Sequence, residues 1–182
     1  MRSICVFCGS RDGDDAAFAT EAETLGRGLA AAGHRLVYGA GDVGLMGRVA
    51  RAAMAAGGDT FGVIPQHLLA QEVGKRDLSR LVITETMHER KKVMFANCDA
   101  IVLLPGGAGS LDEVFEVLTW AQLGLHTKPI LIVNTAGYWT KLIELIDHVI
   151  ARGFAATTLR QLIQDVPDAA ACLAALSSDR SA

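Results

Sequence analysis

A glycine-rich run joins an apolar strand to a helix near the middle of the chain. Residues 105–113 read PGGAGSLDE and follow the wholly apolar IVLL of residues 101–104. Glycines let backbone N–H groups approach an anion, and the first turn of a helix has N–H groups without internal acceptors. The run therefore predicts a phosphate-binding loop. It lacks the G-K-[ST] ending of a P-loop, so it does not predict magnesium–triphosphate chemistry.

The same residues allow an explanation that needs no ligand. Ser110-x-x-Glu113 has the spacing of a capping box, in which Ser110 caps the helix and Glu113 bonds back to the Ser110 N–H. The residues alone leave both interpretations open.

A charged cluster follows another apolar strand. Residues 85–92 read ETMHERKK. The planar guanidinium of Arg90 is suited to bind phosphate, to polarise a sugar hydroxyl or to keep Glu113 ionised, whereas the alternative is an ordinary solvated turn of helix. His88 and Glu89 have no partners at metal-ligand spacing, so no metal site is predicted.

A second glycine loop matches a dinucleotide fingerprint. Residues 39–44 read GAGDVG, a literal G-x-G-x-x-G between a strand and a helix. The acid that binds the ribose belongs at the end of the second strand, where this chain has Tyr38 and Gly39, and Asp59 precedes its strand. An NAD-linked oxidoreductase is therefore disfavoured, and a tight turn explains the glycines.

Strand and helix patterns alternate along the chain. Strands are predicted at 3–8, 35–38, 60–64, 81–84, 100–104 and 129–133, and helices at 14–32, 45–56, 87–97, 110–123, 138–152 and 167–176. This alternation predicts an α/β fold: a Rossmann-like, doubly wound parallel sheet with helices on both faces. We expect one nucleotide-binding domain over 1–176, a polar tail at 177–182, and ligands at the carboxyl ends of the strands.

The composition limits the function classes. The chain has 182 residues, 51% of them hydrophobic and 20% charged, with a net charge of −3. These values exclude intrinsic disorder and argue against non-specific electrostatic binding to nucleic acid or to an anionic membrane. No apolar run reaches the ~18 residues of a membrane span, and no signal peptide is legible, so a cytoplasmic location is expected.

The four cysteines, including Cys5-x-x-Cys8 in a strand, are interpreted as packed thiols rather than as a redox or metal pair.

Together the motifs resemble a known family. PGGAGSLDE resembles the signature PGGxGTxxE, residues 87–91 (MHERK) resemble MHxRK, and residues 39–47 (GAGDVGLMG) resemble GGGxxGLMG. The chain is thus similar to the Lonely Guy family of cytokinin riboside 5′-monophosphate phosphoribohydrolases. The resemblance implies a Rossmann-like homodimer without cofactor, which hydrolyses the N-glycosidic bond of a nucleoside monophosphate to free base and ribose 5-phosphate. Plant members act on N6-prenylated adenine nucleotides, and bacterial relatives often accept AMP.

The resemblance also implies site residues. Arg90 and Glu113 match the catalytic pair. The substrate contacts that it implies are Gly9, Ser10, Gly41, Glu72, Met87, Arg90, Lys91, Gly107, Ala108, Gly109, Ser110, Leu111, Asp112, Glu113 and Thr119. Ser110 replaces the usual threonine and keeps the hydroxyl. Ala40 and Asp42 depart from the family loop, and we expect the added carboxylate to weaken nucleotide affinity or change base preference.

Two further functions remain as alternatives: an AMP nucleosidase of general nucleotide salvage and a non-catalytic nucleotide-binding module.

Members of the family are often labelled possible lysine decarboxylases. Pyridoxal phosphate chemistry needs a Schiff-base lysine, and none of the lysines (Lys75, Lys91, Lys92, Lys128 and Lys141) lies in a cofactor motif.

The apolar faces of Met87–Ala96 and Val114–Leu123 fit either a dimer contact or burial within one chain.

Overall fold

A seven-stranded, all-parallel sheet forms the centre of the molecule. The computed structural model describes residues 1–69 and 78–178. The strands are β1 (Ser3–Phe7), β2 (Arg35–Tyr38), β3 (Thr60–Pro65), β4 (Arg80–Thr84), β5 (Ala100–Leu103), β6 (Ile130–Val133) and β7 (Ile163–Val166). Their order across the sheet is β4-β3-β2-β1-β5-β6-β7. The predicted doubly wound α/β fold is confirmed.

Helices cover both faces of this sheet. They are α1 (Ala16–Ala31), α2 (Gly44–Ala55), α3 (Met87–Ala96), α4 (Ala108–Gln122), α5 (Thr140–Ala151), α6 (Thr158–Gln161) and α7 (Ala169–Ser178), with short 3₁₀ turns at Gln66–Leu68 and Thr135–Gly137. In the described part of the chain no helix is long and apolar enough to cross a bilayer.

Two apolar cores result, one on each face. Alternate residues of β1 point to opposite sides: Ile4 and Val6 join the core under α1, α2 and α7, while Cys5 and Phe7 join the core under α3, α4 and α5. Burial on both faces explains the uninterrupted apolar runs of the central strands.

The chain reverses its winding direction between β1 and β5. Strands β2, β3 and β4 follow on one side of β1, whereas β5, β6 and β7 follow on the other. Ile4 pairs with Leu36 on one side and with Ala100 on the other. Ligands of such sheets bind outside the carboxyl ends of the strands at this point.

The predicted elements differ from the observed ones mainly at their ends. Helix α4 begins at Ala108 with Gly107 as its N-cap, and no side chain caps it. The capping-box interpretation of Ser110 and Glu113 is therefore wrong, because Ser110 already lies inside the first turn. A capping box does occur at α3, between Thr86 and Glu89.

Two elements escaped prediction. Strand β7 has only 4 residues, of which Gln164 and Asp165 in the middle are exposed, and α6 also has only 4 residues, so neither leaves a clear periodic pattern. Gly33 ends α1 as predicted, because its φ of +66° lets its N–H and that of His34 bond back to Ala30 and Leu29.

Candidate active site

A cavity of about 460 Å³ opens at the carboxyl ends of the central strands, where the winding reverses. Its walls come from the loops after β1 and β5, the first turns of α2, α3 and α4, and the turn after β6. The lining residues are Cys8, Gly9, Ser10, Arg11, Asp12, Gly13, Asp14, Phe18, Leu45, Met46, Met87, Arg90, Pro105, Gly106, Gly107, Ala108, Gly109, Ser110, Asp112, Glu113 and Tyr138.

The glycine run forms one wall of this cavity. A Cβ on Gly106 would overlap the Ser110 Oγ and approach the Gly9 nitrogen to 2.9 Å, so only glycine fits. The Gly9 N–H in turn donates to the Pro105 carbonyl at 3.0 Å. Within residues 1–69 and 78–178, no acceptor receives the backbone N–H of Gly107 or of the next three residues. These unused donors at the positive end of a 15-residue helix are suited to an anion.

Arg90 lies at the bottom of the cavity and is only 5% exposed. Its Nε donates to the Val63 carbonyl at 3.1 Å and its Nη2 to the Gly39 carbonyl at 2.8 Å, so the ends of β3 and β2 hold the guanidinium. The position of α3, fixed at its start by the Thr86 capping box, brings the side chain there. The solvated-turn alternative for this residue is thus wrong.

Glu113 lines the cavity from the second turn of α4 and is half-buried. Its charge and that of Arg90 act in opposite directions on the buried Cys8 thiol. Burial raises the pKa of Cys8 well above its ordinary value, the Glu113 carboxylate raises it further, and Arg90 lowers it. Cys8 therefore stays a neutral thiol between two charged groups.

Lys91 connects α3 to α4 outside the cavity lining. Its Nζ lies 2.9 Å from Asp112 Oδ2 and 3.1 Å from Glu116 Oε2. Burial lowers the pKa of Lys91, but hydrogen bonds to Asp112 and Glu116 outweigh it, and the pKa is raised overall.

The structure brings together most of the predicted substrate contacts. Those in the cavity lining are Gly9, Ser10, Met87, Arg90, Gly107, Ala108, Gly109, Ser110, Asp112 and Glu113. Gly41 and Lys91 do not line it. Leu111 and Thr119 instead line a shallow groove on the outer face of α4. Glu72 lies outside the described residues.

The two departures from the family loop have local explanations. The Asp42 carboxylate is paired with Arg51 and does not line the cavity. The structure therefore shows no direct contact through which Asp42 would weaken nucleotide affinity or change base preference. Ala40 is fully buried with a φ of +59°, a conformation that glycine adopts more readily.

Sequence reasoning missed part of the wall. Phe18, Leu45, Met46 and Tyr138 give the cavity its apolar and aromatic side. They follow the carboxyl ends of β1, β2 and β6 by 5 to 11 residues, and that position after a strand was the available signal. Among the described residues, no group of three or more His, Cys, Asp or Glu side chains is arranged to hold a metal ion.

Comparison with known proteins identifies the family. A family model described as "possible lysine decarboxylase" matches residues 46–176. A probable cytokinin riboside 5′-monophosphate phosphoribohydrolase of Oryza sativa subsp. japonica is 43% identical over 91% of this chain and 74% of its own length. The chain belongs to the Lonely Guy family. A further family member, a cytokinin riboside 5′-monophosphate phosphoribohydrolase of Arabidopsis thaliana, is 39% identical over 93% of this chain and 79% of its own.

Solved structures of more distant proteins share the fold of this Lonely Guy family chain. The Moco carrier protein from Chlamydomonas reinhardtii has a TM-score of 0.74 at 21% identity and covers 97% of this chain and 96% of its own. The molybdenum cofactor binding protein from Rippkaea orientalis has a TM-score of 0.72 at 19% identity, with 99% and 98% covered. At such identity the likeness concerns the fold alone.

Proposed function

We propose that this chain is a hydrolase that cleaves the N-glycosidic bond of adenosine 5′-monophosphates, including N6-prenylated ones, to the free base and ribose 5-phosphate. The observation that carries the proposal is the convergence of Arg90, Glu113 and the unused N–H groups of α4 on one cavity. The names of the curated relatives supply the reaction.

The 5′-phosphate binds at the start of α4. Backbone N–H groups of Gly107, Gly109 and Ser110 hold it, and the helix dipole favours its charge. Fixing the phosphate places the sugar ring next to the second turn of the same helix, so that binding energy far from the bond positions the reacting carbon.

Glu113 acts at the anomeric carbon. Positive charge develops on the ribose as the bond between C1′ and the base nitrogen breaks, and a carboxylate stabilises that charge. Glu113 takes a proton from the attacking water as the water oxygen bonds to C1′, and the bond from C1′ to the base nitrogen breaks. The departing base nitrogen takes up a proton from solvent, and Glu113 later returns its proton to solvent, so that one water is consumed in all. Arg90 orients the sugar and balances the charge of Glu113.

The described lysines do not fit a decarboxylase. Lys91 is committed to Asp112 and Glu116, and the Lys128 Nζ lies 2.6 Å from the Phe95 carbonyl. Neither these two nor Lys92 and Lys141 line the cavity, where a Schiff base to pyridoxal phosphate would have to form.

The active form is a homodimer in the cytoplasm. The outer groove of α4 exposes apolar surface, with Phe115 37% exposed beside the half-buried Leu111 and Trp120. The family resemblance implies a homodimer, and this exposed apolar groove is the surface that a second copy of the chain covers.

The test is product release by Glu113→Gln. Purified wild type and variant are incubated with AMP and N6-isopentenyl-AMP, and free base and ribose 5-phosphate are quantified by chromatography. We expect a loss of roughly 10²–10⁴-fold in turnover with an unchanged fold. Glu144→Gln, which changes an exposed carboxylate of α5 outside the cavity, is the matched control.

Three outcomes are informative. Release by the wild type that depends on Glu113 supports the proposal, and the ratio of rates tells whether the prenyl group is recognised. A fully active Glu113→Gln protein contradicts the role of that carboxylate. AMP binding without release from either substrate favours the non-catalytic nucleotide-binding module.

A further inference from the structure

Tyr138 lines the cavity and contacts the glycine loop. Its hydroxyl donates a hydrogen bond of 2.6 Å to the Gly106 carbonyl. Its ring packs edge-on against Phe18, with centroids 5.3 Å apart, and against Trp139 at 4.7 Å. Tyr138 is 42% exposed and lines the cavity.

The turn that carries Tyr138 is held firmly. The Asn134 side chain accepts from the Trp139 N–H at 2.7 Å and donates to the Thr140 hydroxyl at 3.1 Å. Ala136 has a φ of +52° in the same turn. Such backbone conformations persist only where the surroundings impose them, and they cluster at functional sites.

The Gly106–Gly107 peptide is the group that Tyr138 orients. In a planar trans peptide, the carbonyl of Gly106 and the N–H of Gly107 point in opposite directions, so a bond that fixes one fixes the other. A peptide between two glycines rotates easily, because neither residue has a Cβ to restrict it. A Cβ on Gly107 would meet nothing within 4 Å. The Tyr138 bond therefore sets the direction of the Gly107 N–H.

We propose that Tyr138 is a positioning residue that aims the Gly107 N–H at the substrate phosphate, an inference that rests on the proposed function above. Tyr138 does not touch the reacting bond. It affects binding of the phosphate through the loop, and it leaves binding of the nucleoside part unchanged.

Tyr138→Phe tests this, because it removes the hydroxyl and keeps the ring contacts. We expect KM for AMP to rise about 3- to 10-fold, the effect of one hydrogen bond, with kcat within about twofold. Calorimetry should give the same loss in AMP affinity and no change for adenosine, which lacks the phosphate. Asn134→Ala, which loosens the turn, should show the same selectivity.

Tyr38→Phe is the matched control, since it removes the same atom from the other tyrosine, which does not line the cavity. It should leave the ratio of AMP to adenosine affinity unchanged. An unchanged AMP affinity in Tyr138→Phe, or an equal loss for AMP and adenosine, overturns the inference. AMP binding without hydrolysis by the wild type refutes the proposed reaction alone, because the affinity ratio still reports on Tyr138. A wild type that does not bind AMP refutes both.

Discussion

Arg90 occupies the space that a side chain on residue 39 would need. Its Nη2 donates to the Gly39 carbonyl at 2.8 Å, and a Cβ on Gly39 would overlap that nitrogen. The first glycine of the G-x-G-x-x-G run therefore makes room for a guanidinium. The match of residues 39–44 to a dinucleotide fingerprint is thus explained at Gly39 by the space that Arg90 needs, and not by a bound dinucleotide.

Gly39→Ala should displace Arg90 and remove most activity. We expect at least a 100-fold loss in turnover, and a decrease of about 1–3 kcal/mol in the free energy of unfolding from overpacking. Activity assays and urea denaturation measure the two effects. In an Arg90→Ala background the same substitution should cost little further activity, whereas additive losses would refute the coupling.

Lys91→Met should destabilise the protein, because it leaves Asp112 and Glu116 without their cation. The expected loss is about 1–2 kcal/mol, between the values for exposed and buried ion pairs. Lys92→Met, at an exposed neighbour, is the control and should change stability little.

The destabilisation by Lys91→Met should also depend on pH. Since the folded-state pKa of Lys91 is raised above its ordinary 10.5, the ion pairs contribute fully below that value. Their contribution is lost as pH rises through the raised pKa. Denaturation between pH 8 and pH 11.5 should show the wild type and variant converging at the alkaline end, and a constant difference would contradict this.

Cys8 and Cys172 should resist alkylation in the folded protein. Burial raises the pKa of Cys172 to about 12, and burial together with Glu113 raises that of Cys8. At pH 8 only roughly one Cys172 thiol in 10⁴ is the reactive thiolate. Mass spectrometry after iodoacetamide treatment should find both unmodified until urea is added, and rapid labelling of native Cys8 would contradict its neutral state.

Ala136→Gly should stabilise the protein by about 0.5–1 kcal/mol. Glycine adopts the left-handed conformation of the exposed residue 136 without steric strain. The greater conformational freedom of glycine in the unfolded chain offsets part of this gain in stability. Ala40→Gly should gain less, because it also loses a buried methyl group. Thermal unfolding compares the two, and an equal gain at both positions would contradict the burial argument.

The sequence predicts the sheet and the cavity well where the pattern is periodic or apolar. The continuous strand at 101–104 and the glycine run after it identify one wall of the cavity, and the Cys8 thiol is packed as expected. Local spacing fails where a residue acts over a long sequence distance. The bond of Arg90 to Gly39 spans 51 residues, and that of Tyr138 to Gly106 spans 32.

The capping box shows a second way in which local spacing fails. Its pattern fits Ser110 and Glu113, but the structure has it at Thr86 and Glu89. Both pairs have the same spacing, and the difference lies in where each helix begins. Gly107 is the N-cap of α4, three residues before the Ser110 that the motif suggests, so the N–H groups of residues 108–110 lie in the first turn of the helix.

The pairing of β1 with β5 has a consequence for synthesis of the chain. Ile4 meets Ala100, so β1 is exposed on one edge until nearly a hundred residues have been made. At about 5–20 residues per second this lasts for several seconds on the ribosome. The N-terminal half therefore passes through a stage with an open, apolar strand edge, at which we expect chaperones to bind, and the cavity is completed only after β5 closes that edge.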